Sequence, residues 1–169
     1  MGEVRVDYTG WEYYDQLIKQ YGEQNEDYYI YFYGYKSVYV DEIKGLSYEG
    51  VLRQKKLDRL YQSIKKYGYL CERYRDLHLI YLPNKTYTVA TGGNHRPYLA
   101  KLLEIKKIIG MVEILIPKNL LADEQILECE KILDEEGIDV HTRNPYFYKL
   151  CEEYDLLPPK MKIRISKKE

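Results

Sequence analysis

The sequence predicts a mixed α+β domain, and three observations carry that reading. Stretches of β-branched and aromatic residues (28–40, 77–82, 86–90 and 111–116) are interleaved with stretches of helical period (13–21, 50–67, 123–135 and 145–154). Glycine, proline and asparagine fall between the two kinds of stretch, where the chain must turn. A length of 169 residues with 45% hydrophobic content suits one domain with small additions.

Taken in order, Tyr13, Tyr14, Leu17, Ile18 and Tyr21 recur at helical spacing, and Gly22 can stop that helix. Residues 28–40 read as a strand or a broken pair, with Gly34 a bulge or bend. A turn at Lys44-Gly45-Leu46-Ser47 follows. From Gly50 to Tyr67, Leu57, Leu60, Tyr61 and Ile64 form an apolar stripe on a helix capped by Gly68. Leu77–Leu82 and Thr86–Ala90 read as strands joined by Pro83-Asn84-Lys85, a hairpin signal. Tyr98, Leu99, Leu102 and Leu103 mark a short helix, and Met111–Ile116 a strand within 106–117. Two helices complete the chain, Asp123–Glu135 ending at Gly137 and Pro145–Tyr154 starting after Asn144. Pro158-Pro159 closes this part, and 160–169 is a basic tail or a short final strand.

Composition narrows the function. Formal net charge is −1, from 26 basic and 27 acidic residues, which argues against a protein built for non-specific clamping of DNA. Three cysteines, Cys71, Cys129 and Cys151, are widely spaced and include no CxxC pair, so neither zinc nor a disulfide framework is indicated. His78, His95 and His141 lack short ligand spacing, so no dedicated metal site is expected. The N-terminus lacks an apolar signal core and no apolar run reaches the roughly 20 residues that span a bilayer; a cytoplasmic location with no membrane partner is expected. Tyrosine outnumbers phenylalanine 21 to 2. It could stack on bases, but Glu12, Asp15, Glu23, Glu26 and Asp27 surround the early tyrosines and would repel phosphates, which favours tyrosine in phenylalanine's structural role.

The segment Thr88-Val89-Ala90-Thr91-Gly92-Gly93-Asn94-His95-Arg96-Pro97 carries the chemistry. It reads as a strand, a Gly-Gly turn and a polar cluster in the first turn of a helix. Unpaired N–H groups and partial positive charge at a helix start favour phosphate, two glycines permit close backbone approach, and arginine offers a planar fork to phosphate oxygens.

Two parts of the chain, in order, resemble the ParB/sulfiredoxin superfamily over residues 38–117. Arg53 followed by Leu57-x-x-Leu60-x-x-Ser63-Ile64-x-x-x-Gly68 is similar to the ParB arginine and its helix. The strand–Gly92-Gly93-Asn94-His95-Arg96–helix unit is similar to sulfiredoxin's Gly-Gly-Cys-His-Arg and ParB's Gly-Glu-Arg-Arg. The resemblance implies that 38–117 is a core of a small mixed sheet with packed helices. The residue patterns place helical additions at both ends, 1–37 as a Tyr-rich N-terminal extension packed on that core and 118–169 as a C-terminal helical extension and basic tail. The resemblance also implies that Gly92, Gly93, Asn94, His95 and Arg96, with Arg53, bind the phosphates of ATP, ADP or CTP together with Mg²⁺.

Departures from the family shape the expected activity. Asn94 stands where sulfiredoxin has its catalytic cysteine, and an amide is no thiolate, so sulfiredoxin chemistry is excluded. Too little chain follows Pro117 for the remaining parts of a complete ParB, and Asp139–Asn144 only faintly echoes its second phosphate motif. The expected activity is that of an NTPase or a kinase-like phosphotransferase. Glu42 or Asp41 is either a solvated turn acid or the base toward a substrate hydroxyl, as an acidic residue near this point is in a kinase-like member of the superfamily. His95 hydrogen-bonds its own loop, touches phosphate or acts in proton transfer. The alternative is a non-enzymatic regulator of phage or plasmid type. It would bind DNA or a protein partner through the tyrosine-rich segment and the helices after Asp123. A nuclease ranks last, because no carboxylate pair with two-metal spacing is visible.

Overall fold

A computed structural model describes residues 3–5, 11–22, 27–47, 51–67, 77–90, 95–138 and 141–159. The fold class is α+β: the described residues form one mixed sheet of seven strands, a two-stranded ribbon and five α-helices. The longest strands set the frame. Tyr28–Tyr39 (β3) and Lys107–Pro117 (β8) pair antiparallel from Tyr28 opposite Pro117 to Tyr39 opposite Lys107. Both are dense in β-branched or aromatic residues, which suit a pleated, half-buried surface. The register shifts between Phe32 and Gly34, the bulge position anticipated at Gly34, whose φ of +130° glycine adopts without penalty.

On the inner side of β8 lie His78–Tyr81 (β6), parallel to it, and Tyr87–Val89 (β7), the hairpin partner of β6. Ile43–Leu46 (β4) runs parallel to β7, and Glu12–Tyr13 (β2) completes that side. Contact at the β4–β7 seam is intimate: a Cβ on Gly45 would stand 2.3 Å from Thr88 Oγ1 and 2.5 Å from Leu17 Cδ1. At the far edge, His141–Thr142 (β9) pairs parallel with Ile30 and Tyr31 of β3, a strand the sequence patterns do not predict because it is only two residues long. The sheet order is therefore β2-β4-β7-β6-β8-β3-β9. Separately, Glu3–Arg5 (β1) pairs antiparallel with Val51–Arg53 (β5).

The sheet has one thickly covered face and one thinly covered face. Helices Gln54–Tyr67 (α2), His95–Leu102 (α3), Asp123–Glu136 (α4) and Pro145–Glu153 (α5) cover the first, each adding buried side chains to one cluster: Leu57, Leu99, Ile132 and Phe147 are examples. Tyr14–Ile18 (α1) covers the second, packing Leu17 and Ile18 on Tyr28, Ile30, Ile80, Leu82 and Leu115. Tyr29, Tyr81 and Tyr87 are among the largest fully buried side chains, so tyrosine occupies core positions as expected. Burial pushes the Tyr81 hydroxyl up to about 12, with the Glu42 charge adding to it.

Several boundaries move. The first helix is only Tyr14–Ile18, and the chain leaves it in a turn where the Tyr21 N–H donates to the Ile18 carbonyl at 2.9 Å. Residues 51–53, read as helix, are the strand β5. Tyr61, placed in the apolar stripe of α2, is 39% exposed, and Leu102, at the end of α3, is 63% exposed. The boundary between 37 and 38 falls inside β3, so the tyrosine-rich strand belongs to the sheet rather than to an appendage. Likewise α4, β9 and α5 share the principal core cluster and the sheet. Gly137, in the left-handed region with φ +63°, ends α4, and Asn144 caps α5 by accepting from the Tyr146 N–H at 2.9 Å. Cys129 and Cys151 are buried free thiols, each pushed up to about 12 chiefly by burial; Cys71 and Gly68 lie outside the described residues.

Candidate functional site

The candidate site is the passage from β7 into α3. Gly92, Gly93 and Asn94 lie outside the described residues, and the site is built from its two flanks. β7 is held between β4 and β6, so its exit from the sheet is set by backbone ladders on both sides. α3 begins at His95, with Pro97 in its first turn, where a missing N–H costs nothing. It packs back on the sheet through Tyr98, Leu99 and Ala100, and Tyr98 stacks with Trp11 at 6.5 Å between ring centres. This docking explains why the first two side chains of the helix are buried although both are polar: His95 is 8% exposed and Arg96 9%.

His95 has a defined partner. Its Nε2 accepts a hydrogen bond from the Arg53 backbone N–H at 2.9 Å. A ring that accepts at Nε2 is neutral and carries its proton on Nδ1. The surroundings enforce that state: burial lowers the His95 pKa, and the Lys56 and Arg53 charges lower it further. Because Nε2 already holds the Arg53 amide, that atom is not a base for substrate, and His95 acts here by holding β5 against the start of α3. Arg53 and Lys56 bring positive charge to the His95 ring.

Arg53 and His95, 42 residues apart in sequence, are thus brought together with Arg96 beside them. Asp41 and Glu42 are not brought to them. They occupy a 3-10 turn, Val40–Glu42, whose Val40 N–H donates to the Lys106 carbonyl at 2.9 Å just beyond the far end of α3. Ile43 then pairs with Tyr87, where β7 begins, whereas His95 follows β7's end. An eight-residue helix spans about 12 Å, and these acids stand at the opposite end of it from His95. Among the described residues, no three His, Cys, Asp or Glu side chains converge as a metal ion would need. No helix among them is long and apolar enough to cross a membrane.

A second polar cluster, unanticipated from sequence, lies on the thinly covered face. Glu113, in the middle of β8 between Ile80 and Phe32, puts Oε2 3.3 Å from His141 Nε2 on β9. The Arg143 guanidinium lies 4.2 Å above the Phe32 ring. Burial raises the Glu113 pKa, and the facing His141, His78 and Arg143 pull it back. The one available signal was a single carboxylate inside an otherwise apolar strand.

No protein-family model, curated protein or solved structure matches the chain.

Proposed function

We propose that the chain is a ParB/sulfiredoxin-like nucleotide-binding protein that seats nucleotide phosphates at the start of α3. The observation that carries this reading is the hydrogen bond from the Arg53 amide to His95 Nε2. The two stretches that resemble the superfamily, the Arg53 segment and the His95-Arg96 turn, meet at that bond. Arg96 supplies the principal charge for the phosphates, Arg53 and Lys56 reinforce the potential, and His95, neutral, keeps the corner in register. Mg²⁺ would be carried mainly by the nucleotide's own phosphates, where it would offset their charge. ATP, ADP or CTP fits the charge of the corner equally. An NTPase or phosphotransferase activity would draw its base from a residue other than Asp41 or Glu42, given their place at the far end of α3.

A thermal-shift panel of ATP, ADP, CTP and GTP with Mg²⁺ tests this. A nucleotide at 100 times its Kd adds about 2.7 kcal/mol to the native state. One nucleotide should raise Tm, Arg96→Ala should abolish the rise, and Arg96→Lys, which keeps the charge but not the fork, should retain part of it. No rise with any of the four at millimolar concentration contradicts the proposal.

A further inference from the structure

The near-neutral total charge conceals two helices of opposite sign. α2 and α4 each have 14 residues. α2 carries five lysine or arginine side chains and one aspartate, whereas α4 carries seven acids and one lysine. They pack on different elements. α2 touches α3 and β5, while α4 is tied to β3 by the Tyr29 hydroxyl donating to Glu130 at 2.7 Å.

On α2 the cations are ordered. Opposite the face carrying Leu57, Leu60 and Ile64, residues Lys55, Arg59, Gln62 and Lys66 recur at i, i+4, i+7 and i+11, and all four are exposed. The row runs about 16 Å along the helix. Lys55, Lys56 and Arg59 form no ion pair among the described residues, and the helix's one acid, Asp58, accepts from Gln54 at 2.7 Å. Exposed Tyr61 flanks the row beneath Lys65, whose ammonium lies 5.4 Å from the ring centre.

We infer that the exposed face of α2 docks on the phosphate backbone of duplex DNA. A row of cations with no apolar residue on its centre line matches a polyanion. It does not match a second protein surface, because interface cores are depleted of lysine and need apolar area to bury. The same argument moves any nucleic-acid contact away from the helices after Asp123, since the acids of α4 would repel phosphates. This inference does not rest on nucleotide binding at α3.

The test is fluorescence anisotropy of the full chain with a short labelled DNA duplex across about 50 to 200 mM salt. Two phosphate contacts, from Lys55 and Arg59, give a log–log salt slope of about −1.8 and about a 12-fold loss of affinity over that range. Lys55→Gln/Arg59→Gln should bring the slope close to zero. Both positions are exposed, so thermal unfolding of the double variant should match wild type. Arg96→Lys should leave the slope unchanged, which separates this surface from the α3 site. The inference is overturned by absence of duplex binding at the lowest salt, by an unchanged slope in the double variant, or by tighter binding to single-stranded RNA. It is equally overturned if the double substitution abolishes a salt-dependent self-association in a protein that binds no DNA.

Discussion

Two histidines among the described residues tie short strands to the fold, and they do so in opposite ways. His95 is buried at the start of α3, ringed by Arg53 and Lys56, and its Nε2 accepts from a backbone amide. His141 is 69% exposed on the edge strand β9, and its Nε2 faces the carboxylate of Glu113, which is only 12% exposed. Each ring fastens a short strand to the rest of the fold, β5 in the first case and β9 in the second. At His95 the ring must stay neutral, because a proton on Nε2 would confront the Arg53 N–H. At His141 the buried partner is itself an acid. The same residue type is therefore an uncharged acceptor where a backbone amide and two cations face it and the companion of a buried carboxylate on β9.

Replacing His95 should have the larger effect. His95→Ala leaves the Arg53 N–H without its acceptor and opens space beside α3, at a cost of about 1 to 3 kcal/mol in denaturant unfolding. His95→Gln retains an acceptor and should recover part of that loss. The same residue sets a pH response. Its folded-state pKa lies below the unfolded value of about 6.5, so its stabilisation is fully present above that pH and fades as pH falls toward the folded pKa. His95→Gln should remove this component from the profile; an unchanged profile would show that another group causes the decline.

The Glu113 side should respond more weakly and with the reverse sign. Burial raises its folded-state pKa, so the contribution of its protonated form is present below the unfolded value of about 4.3 and is lost as pH rises through the folded pKa. Glu113→Gln should therefore gain on wild type between acidic and neutral pH. A loss over that interval would mean that the His141 contact outweighs the burial of the carboxylate.

Much of the frame was legible because local chemistry enforced it. Gly34 at the bulge, Gly137 at the end of α4 and Asn144-Pro145 at the start of α5 are positions where one backbone geometry suits one residue type. The hairpin across Pro83-Asn84-Lys85 and the long strand β8 follow from composition alone. What escaped were pairings between distant segments too short to show a period, namely β1 with β5 and β9 with β3. At the site, the motif marked His95, Arg96 and Arg53 as a group. Nothing local showed that a backbone amide would take the His95 lone pair, or that the turn of Asp41 and Glu42 would fall beyond the opposite end of α3. Those facts depend on which way α3 runs back over the sheet.

The most direct measurement is a two-dimensional ¹H–¹⁵N spectrum of the full chain, titrated with the nucleotide that raises Tm in the presence of Mg²⁺. If phosphates seat at the start of α3, the amide resonances of Arg53, His95 and Arg96 should move first and together, while those of Asp41 and Glu42 move little. Saturating nucleotide that leaves the Arg53 and His95 amides in place, or that shifts only residues elsewhere, would contradict the assignment.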